Sequence, residues 1–382
     1  MRSHYRAAAV AATLVLVAAA CSSSSTAKPA SPPASAPASF LGQLHTVTQV
    51  ASTVPANGDI NPYGVAVVAA TAGRLTAGDT LVSNFNDKAN VQGTGTTIVE
   101  VSSTGSTQLF AQLSPSSLPA GQACPGGIGL STALAVLPGG WVVVGSLPTD
   151  NGGTLPGLLP AGCLIVLNDQ GTPVETITNS NIVGPWDLAA ASTATSAELY
   201  VSNALGGNTS TDNGVPVAGN CTIVRVDLAL SATAPPKVTG TTVIGTSFLW
   251  RADKAALVLA PTGLALGHDG TLYVDNTETN KISAIPDAAT RTSAVSASSS
   301  TISSGGALNA PLGMMSAPNG DVVVVNGNDG NAVEITPTGT QVATKTLVPN
   351  GAGDLFGLTP TAAGNGILLV NDGTNALDLY HA

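Results

Sequence analysis

The chain has 382 residues, of which 43% are hydrophobic, 9% are charged and 3% are aromatic. Disordered chains combine low hydrophobicity with high charge, so this opposite composition predicts a folded body. Glycine (43 residues) and proline (25) are abundant while charged residues are scarce, which excludes a long coiled coil. The net charge of −10 provides no positive field for phosphate groups, so we expect no nucleic-acid partner.

The N-terminus predicts export. Arg2 and Arg6 precede a mainly apolar run over residues 7–20, which is too short to span a bilayer and is typical of a secretory signal peptide. Residues 1–20 are therefore assigned to the signal, and the Ser/Ala/Pro-rich residues 21–39 to a flexible tether. Removing the signal leaves ten basic and 22 acidic residues, a net charge of −12.

The junction between signal and tether, Ala18-Ala19-Ala20-Cys21, resembles the lipobox of bacterial lipoproteins. Ala18 stands where the lipobox usually has leucine. The resemblance implies that Cys21 is lipidated and that the exported protein is anchored at the outer face of the cell membrane. The lipid would then be its only contact with the membrane.

From residue 61 onward one pattern recurs six times: a turn, an apolar strand, a Gly-containing turn, a second apolar strand, a polar loop and a third strand. The clearest copy is residues 261–276, and the other copies begin at Pro62, Ala133, Pro185, Gly313 and Leu355. A weaker fourth strand follows several copies. Radial stacking of four-stranded antiparallel sheets buries both faces of each sheet. The pattern predicts an all-β fold, a six-bladed β-propeller over residues 40–382.

The ends of the chain predict how the ring closes. The last unit, residues 354–382, supplies only three strands. A spare strand at residues 45–50 lies between the tether and the first unit. We expect this strand to complete the last blade.

The phrases Pro-x-Gly-apolar-Ala-apolar, Asp-Gly-x-Leu-Tyr-Val and Asn-Lys-Ile within residues 261–282 resemble NHL-type repeats. They are also similar to the wider six-bladed superfamily that includes the SMP-30/gluconolactonase-like lactonases. The resemblance covers about the whole body and implies the fold without implying a chemistry. Within that group the chain resembles the bacterial NHL-repeat lipoproteins, whose biochemical role is generally unassigned.

Three cysteines remain after Cys21, an odd number that permits one disulfide and one free thiol in an oxidising compartment. Their spacing does not match a zinc site. Cys124 and Cys163 border the same repeat unit, so they are the preferred pair, which leaves Cys221 free.

Aligned repeats place polar side chains where the second strand ends, on the face where the first strand begins. We call this set the collar: Asn84, Ser146, Asn203, Asn276, Asn326 and Asp372. These residues are candidate ligand or metal contacts around the channel mouth. The alternative is that they bond local backbone groups, as Asn and Asp often do at turns.

Asp187 occupies a position on the first strand that is glycine or alanine in the other five repeats. A carboxylate there would point into the channel, where it must be solvated, paired or metal-bound. With the collar it would form an oxygen site suited to Ca²⁺. The alternative is that Asp187 bonds backbone amides of the adjacent turn.

Enzymatic signatures are weak. No Gly-x-Ser-x-Gly motif and no paired-histidine spacing occurs, so no catalytic residue is assigned. The resemblance implies a metal-binding glutamate early on the first innermost strand, but this place reads Asn61-Pro62-Tyr63. We therefore expect a tethered binding or scaffold module that contacts a protein, glycan or small molecule through the collar face and its loops at 146–162 and 203–220. The alternative is a metal-dependent hydrolase or lactonase.

Overall fold

The computed structural model describes residues 39–150, 160–206, 217–253 and 255–382. The predicted signal peptide, Cys21 and the tether up to residue 38 lie outside the described residues, as do the central parts of both predicted recognition loops. Within the described ranges, no helix is long and apolar enough to cross a membrane.

The body is almost entirely β-structure. A closing strand, β1 (Thr46–Ser52), comes first. Blade 1 contains β2 (Ile60–Val67), β3 (Thr80–Asn86), β4 (Gln92–Val101) and β5 (Thr107–Gln112). Blade 2 contains β6 (Leu134–Leu137), β7 (Trp141–Ser146), β8 (Cys163–Leu167) and β9 (Pro173–Ile177). Blade 3 contains β10 (Pro185–Ser192), β11 (Ser196–Asn203), β12 (Val217–Ala229), β13 (Lys237–Asp253) and β14 (Leu257–Leu259).

Blade 4 contains β15 (Pro261–Leu266), β16 (Leu272–Asn276), β17 (Lys281–Ile285) and, after the short β18 (Val295–Ser296) and α1 (Ala297–Ser300), β19 (Thr301–Ser304). Blade 5 contains β20 (Pro311–Ser316), β21 (Val322–Asn326), β22 (Asn331–Ile335) and β23 (Gln341–Thr346). Blade 6 contains β24 (Leu355–Pro360), β25 (Gly366–Asn371) and β26 (Ala376–His381). Single 3-10 turns lie at Leu41–Gln43 and Pro115–Ser117.

The predicted fold and ring closure are confirmed. Six antiparallel sheets surround one axis, and each innermost strand contacts the innermost strands of the two neighbouring blades. Strand β1 pairs antiparallel with β26, from Thr46 opposite His381 to Ser52 opposite Ala376. The two ends of the body are therefore joined within blade 6.

Blade 3 departs from the predicted four-stranded unit. Its strands β12 and β13 are unusually long, β14 adds a fifth strand, and β18 pairs with β13 in parallel. The sequence of β13 is rich in Val, Thr and aromatic residues, which favours an extended strand. This extension carries residues 251–253 and 255–259 beyond the regular blade.

The recurring glycine of the innermost strand is a packing requirement. Any Cβ added at Gly64, Gly263, Gly313 or Gly357 would lie less than 3.0 Å from a carbonyl oxygen of the next blade. Those oxygens belong to Thr132, Leu312, Phe356 and Tyr63, each of which precedes the equivalent position of its own blade. Glycine therefore lets neighbouring innermost strands approach each other closely.

The second strand satisfies the backbone at this position. The register shifts here between the first and second strands, so the N–H needs another acceptor. Ser83 Oγ accepts from Gly64 N at 3.0 Å, Ser202 Oγ accepts from Asp187 N at 3.1 Å, and Asp275 Oδ1 accepts from Gly263 N at 2.9 Å.

Cys124 and Cys163 are joined by a disulfide whose Cα atoms lie 5.3 Å apart, and Cys221 is a buried free thiol. Both bonded cysteines border blade 2, the repeat unit from which the sequence favoured this pair. Burial raises the pKa of the Cys221 thiol well above its usual range.

The packing predicts that Gly313→Ala will lower the free energy of unfolding by about 1–3 kcal/mol, because the added methyl group meets the backbone at Phe356. Gly327→Ala is the matched control, since its Cβ would have no neighbour closer than 3.3 Å. Urea denaturation of both variants measures the difference. Equal stability of the two variants would contradict the packing argument.

Candidate functional site

A plug of aromatic side chains divides the central channel. The ring of Tyr63 lies 5.6 Å from that of Trp186 and 5.3 Å from that of Phe356, measured between centroids, and Phe85 packs beside them. Trp186 Nε1 donates to Tyr63 Oη at 2.5 Å, and Tyr63 Oη donates to the carbonyl of Leu312 at 3.3 Å. Two cavities result, one on each side of the plug.

The mouth cavity opens on the face where the innermost strands begin, and its volume is about 580 Å³. Phe85, Trp186 and Phe356 form its floor. Its rim is polar and includes Asn61, Asn86, Asn90, Gln92, Asn328 and Asp372. Small-molecule sites in proteins have this size and this combination of apolar surface with a few polar groups.

One wall of the mouth cavity comes from the extension of blade 3. Arg251 Nη1 lies 2.7 Å from a carboxylate oxygen of Asp253, and Arg251 Nε lies 2.6 Å from one of Glu278. Gln92 of blade 1 donates to the carbonyl of Ala255, so the extension of blade 3 is hydrogen-bonded to blade 1. The single arginine of this wall is held in place by two acids.

Three residues of the mouth have left-handed backbone conformations that are uncommon for side-chain-bearing residues. Asn61 has φ +62°, Asn90 has φ +59° and Ala310 has φ +53°. Asn61 is 7% exposed, and its Oδ1 has no hydrogen-bond partner among the described residues. Backbone strain and an unsatisfied buried acceptor are typical of binding sites.

The collar amides do not face this cavity. Asn84 Nδ2 donates to the carbonyl of Thr53 at 2.8 Å, and Asn203 accepts from Val183 N at 2.9 Å. Asn276 donates to Leu249 O at 3.0 Å and Asn326 donates to Ala307 O at 2.8 Å. Ser146 Oγ likewise accepts from Gly129 N at 2.9 Å. The side chains of Asn84, Ser146, Asn203 and Asn326 each bond the segment that leads into the innermost strand of their own blade, and Asn276 bonds strand β13 of the preceding blade. All five therefore bond backbone groups, which is the local alternative.

The alignment of blade 6 was wrong by one residue. Asn371 pairs with Leu355, as Asn276 pairs with Pro261, so Asn371 rather than Asp372 is the collar residue of this blade. Asp372 instead lines the mouth cavity. Burial, followed by the charge of Asp354, raises the pKa of Asp372 to about 6.

Asp187 lies on the other side of the plug and lines the lower cavity, whose volume is about 280 Å³. Its Oδ1 accepts from its neighbour Leu188 N at 2.8 Å, and its Oδ2 accepts from Leu264 N of blade 4 at 2.9 Å. The side chain is only part-exposed, at the surface of the lower cavity. This burial raises the pKa of Asp187 to about 7, against the effect of both backbone hydrogen bonds.

The buried Asp275 lies near Asp187 and has no counter-charge. Its Oδ1 accepts from Thr262 Oγ1 at 2.5 Å, while its Oδ2 lacks a partner in the described part of the chain. Burial raises the pKa of Asp275 well above its usual range, and the charge of Asp187 raises it further. Burial without a counter-charge therefore favours the neutral form of Asp275.

The predicted oxygen donors do not fit one shared Ca²⁺. Calcium needs six to eight oxygen ligands. The amides of Asn203, Asn276 and Asn326 are bonded to loop backbone, and both oxygens of Asp187 accept backbone N–H groups. Across the described ranges, no group of three or more His, Cys, Asp or Glu could hold a metal ion.

Sequence reasoning missed most of the mouth cavity. Phe85, Trp186 and Phe356 are ordinary apolar residues in their repeats, and Arg251 lies in a strand that no repeat copy contains. The one available signal was Asn61, which stands before the first repeat where the resemblance implied a glutamate. The repeat pattern identified Asp372 only through the misalignment of blade 6, and no pattern identified the other rim residues.

Neither family models nor curated protein sequences match the chain. Solved structures do. A gluconolactonase from Xanthomonas campestris is similar with a TM-score of 0.56 and 14% identity, over 90% of this chain and 91% of that chain. The PQQ-bound aldose sugar dehydrogenase from Streptomyces coelicolor is similar with a TM-score of 0.52 and 16% identity, over 88% of this chain and 98% of that chain. The shared property is the fold.

The environment of Asp187 predicts a pH dependence of stability. The pKa of Asp187 is raised from 3.8 to about 7, so the folded state favours the protonated form of this side chain. The resulting contribution to the free energy of unfolding is fully present below about pH 4 and is lost as the pH rises to 7. Asp187→Gly, which restores the residue of the sibling repeats, should reduce the decline in melting temperature between pH 4 and 7. The exposed Asp269→Asn is a charge-matched control that should keep the wild-type slope. Identical slopes for all three proteins would contradict the assignment.

Proposed function

We propose that the protein is a binding module that takes a neutral polyhydroxylated ligand, such as a monosaccharide or disaccharide, in the mouth cavity. The observation that carries the proposal is a cavity of about 580 Å³ that combines an aromatic floor with a rim of amide side chains. The sequence predicts that the collar face contacts a protein, glycan or small molecule. Of these three, the mouth cavity favours a small ligand.

The chemistry of the rim supports this ligand class. Sugar hydroxyls both donate and accept hydrogen bonds, and amide side chains such as Asn90, Gln92 and Asn328 offer both functions. Arg251 and Asp253 neutralise each other in part, so the wall provides polar contacts without a strong net charge. The aromatic floor offers an apolar surface to the C–H face of a sugar ring.

A metal-dependent lactonase is the alternative, and the similar fold of a gluconolactonase is what supports it. That reading needs several free oxygen donors around one cation. In this chain the side-chain oxygens of Asn203, Asn276, Asn326 and Asp187 accept backbone N–H groups. Asn61 stands at the place of the expected glutamate. Binding therefore has the stronger support.

Isothermal titration calorimetry with glucose, galactose, maltose and trehalose tests the proposal. We expect at least one of these sugars to bind. Asn328→Ala and Arg251→Gln, which each remove one rim contact, should weaken that sugar by about tenfold, equivalent to about 1.4 kcal/mol. The exposed Asp269→Asn, far from the rim, should bind as the wild type does.

Two results would count against sugar binding: no heat of binding with any of the four sugars, or equal affinities in the wild type and both rim variants. Hydrolysis of gluconolactone that depends on added Ca²⁺ would favour the lactonase alternative instead.

We also propose that the protein is exported and is held at the outer face of the cell membrane by a lipid on Cys21. The attachment point of the tether supports this arrangement. Glu334 accepts from Ser39 Oγ, Phe40 N and Leu41 N at 2.5–2.8 Å, so the body begins at a fixed point of blade 5. Glu334 also accepts from Asn319, in the turn between β20 and β21, on the face opposite the mouth cavity.

Cys21→Ser tests the anchor. The variant should lose its acyl label and move from the membrane fraction to the soluble fraction. The propeller is acidic, so its charge does not attract it to an anionic membrane once the lipid is absent. Fractionation with metabolic fatty-acid labelling measures both. An unchanged location of the variant would refute lipidation as the anchor.

A further inference from the structure

The lower cavity contains one charged side chain, that of Asp187. The rest of its wall is formed by backbone and by small or apolar residues such as Ala189, Leu266, Met314 and Met315. Asp187 makes no ion pair among the described residues. An ionised carboxylate away from bulk water and without a counter-charge is costly, so this site favours a cation.

The channel wall also offers hydrogen-bond acceptors. Each innermost strand is the edge of its sheet, so one row of its backbone N–H and C=O groups faces the channel. Asp187 already accepts from two of these N–H groups, those of Leu188 and Leu264. The remaining carbonyl oxygens suit a ligand that is rich in donors.

We propose that the lower cavity binds a small organic ammonium ion, with the Asp187 carboxylate as its counter-charge. The cavity of about 280 Å³ has the liquid volume of about nine water molecules at ~30 Å³ each, which accommodates a short alkylammonium. The ammonium N–H groups bond to Asp187 and to wall carbonyls, and the alkyl chain contacts Met314 and Leu266.

The groups that face Asp187 are also acidic or neutral. Tyr63 of blade 1 and Asp275 of blade 4 are close enough for their pKa values to be raised by its charge. Burial favours the neutral form of Asp275, and Asp187 rather than Asp275 lines the cavity, so Asp187 is the group whose ionisation admits the cation. Binding should therefore strengthen as the pH rises through about 7.

The test is isothermal titration calorimetry with n-butylammonium chloride, with 1-butanol as the neutral ligand of the same shape and CaCl2 as the metal. The wild type should bind butylammonium at pH 8.5 and should bind it roughly thirtyfold more weakly at pH 5.5, as follows if only the ionised carboxylate binds. Butanol and CaCl2 should give no comparable heat.

Asp187→Gly should lose butylammonium binding while it retains a cooperative melting transition, because four sibling repeats have glycine at this position. The exposed Asp269→Asn removes the same charge outside the channel and should bind normally. Equal binding of butanol, unchanged binding by Asp187→Gly, or no binding by the wild type would overturn the proposal. A calcium signal that depends on Asp187 would replace the ammonium with a metal. Sugar binding at the mouth is independent and should persist in Asp187→Gly.

Discussion

The close approach of six innermost strands around one axis is the constraint on which the rest of the structure depends. At four of the six junctions between blades, a glycine lies against a carbonyl oxygen of the next blade, with no room for a Cβ. The turns and strands of these repeats place the glycine at the same level along the channel axis. At these four junctions the ring therefore depends on the small size of one residue.

Blade 3 meets the same constraint in a different way. Ser202 Oγ donates to the carbonyl of Thr262 at 2.6 Å, and the Asp187 carboxylate accepts from Leu264 N. Two side chains thus make the contact to blade 4 that backbone packing makes elsewhere. This arrangement places a carboxylate inside the body, and its raised pKa follows from that burial. The electrostatic character of the lower channel comes from one departure from the repeat.

The fold could be predicted because each blade is a local unit that recurs along the chain. The last unit has only three strands, so the spare strand before the first unit was expected to complete its sheet and close the ring. The error at Asp372 shows the limit of that reasoning. Residues 367–370 are consecutive apolar residues, so the repeat can be anchored at Leu369 or at Val370, and only strand pairing distinguishes the two. A shift of one residue moved the assignment from a buried collar amide to a residue of the mouth.

The site was less predictable because recurrence and function lie in different residues. The collar position recurs because a polar side chain there can fix the segment leading into the innermost strand, as Asn203 and Asn326 do. Residues that serve one ligand have no such reason to recur. Asn61, Asp187 and Arg251 each break the repeat or lie outside it, and each borders a cavity. In a ring of similar blades, the departures from the pattern are therefore the better guide to binding.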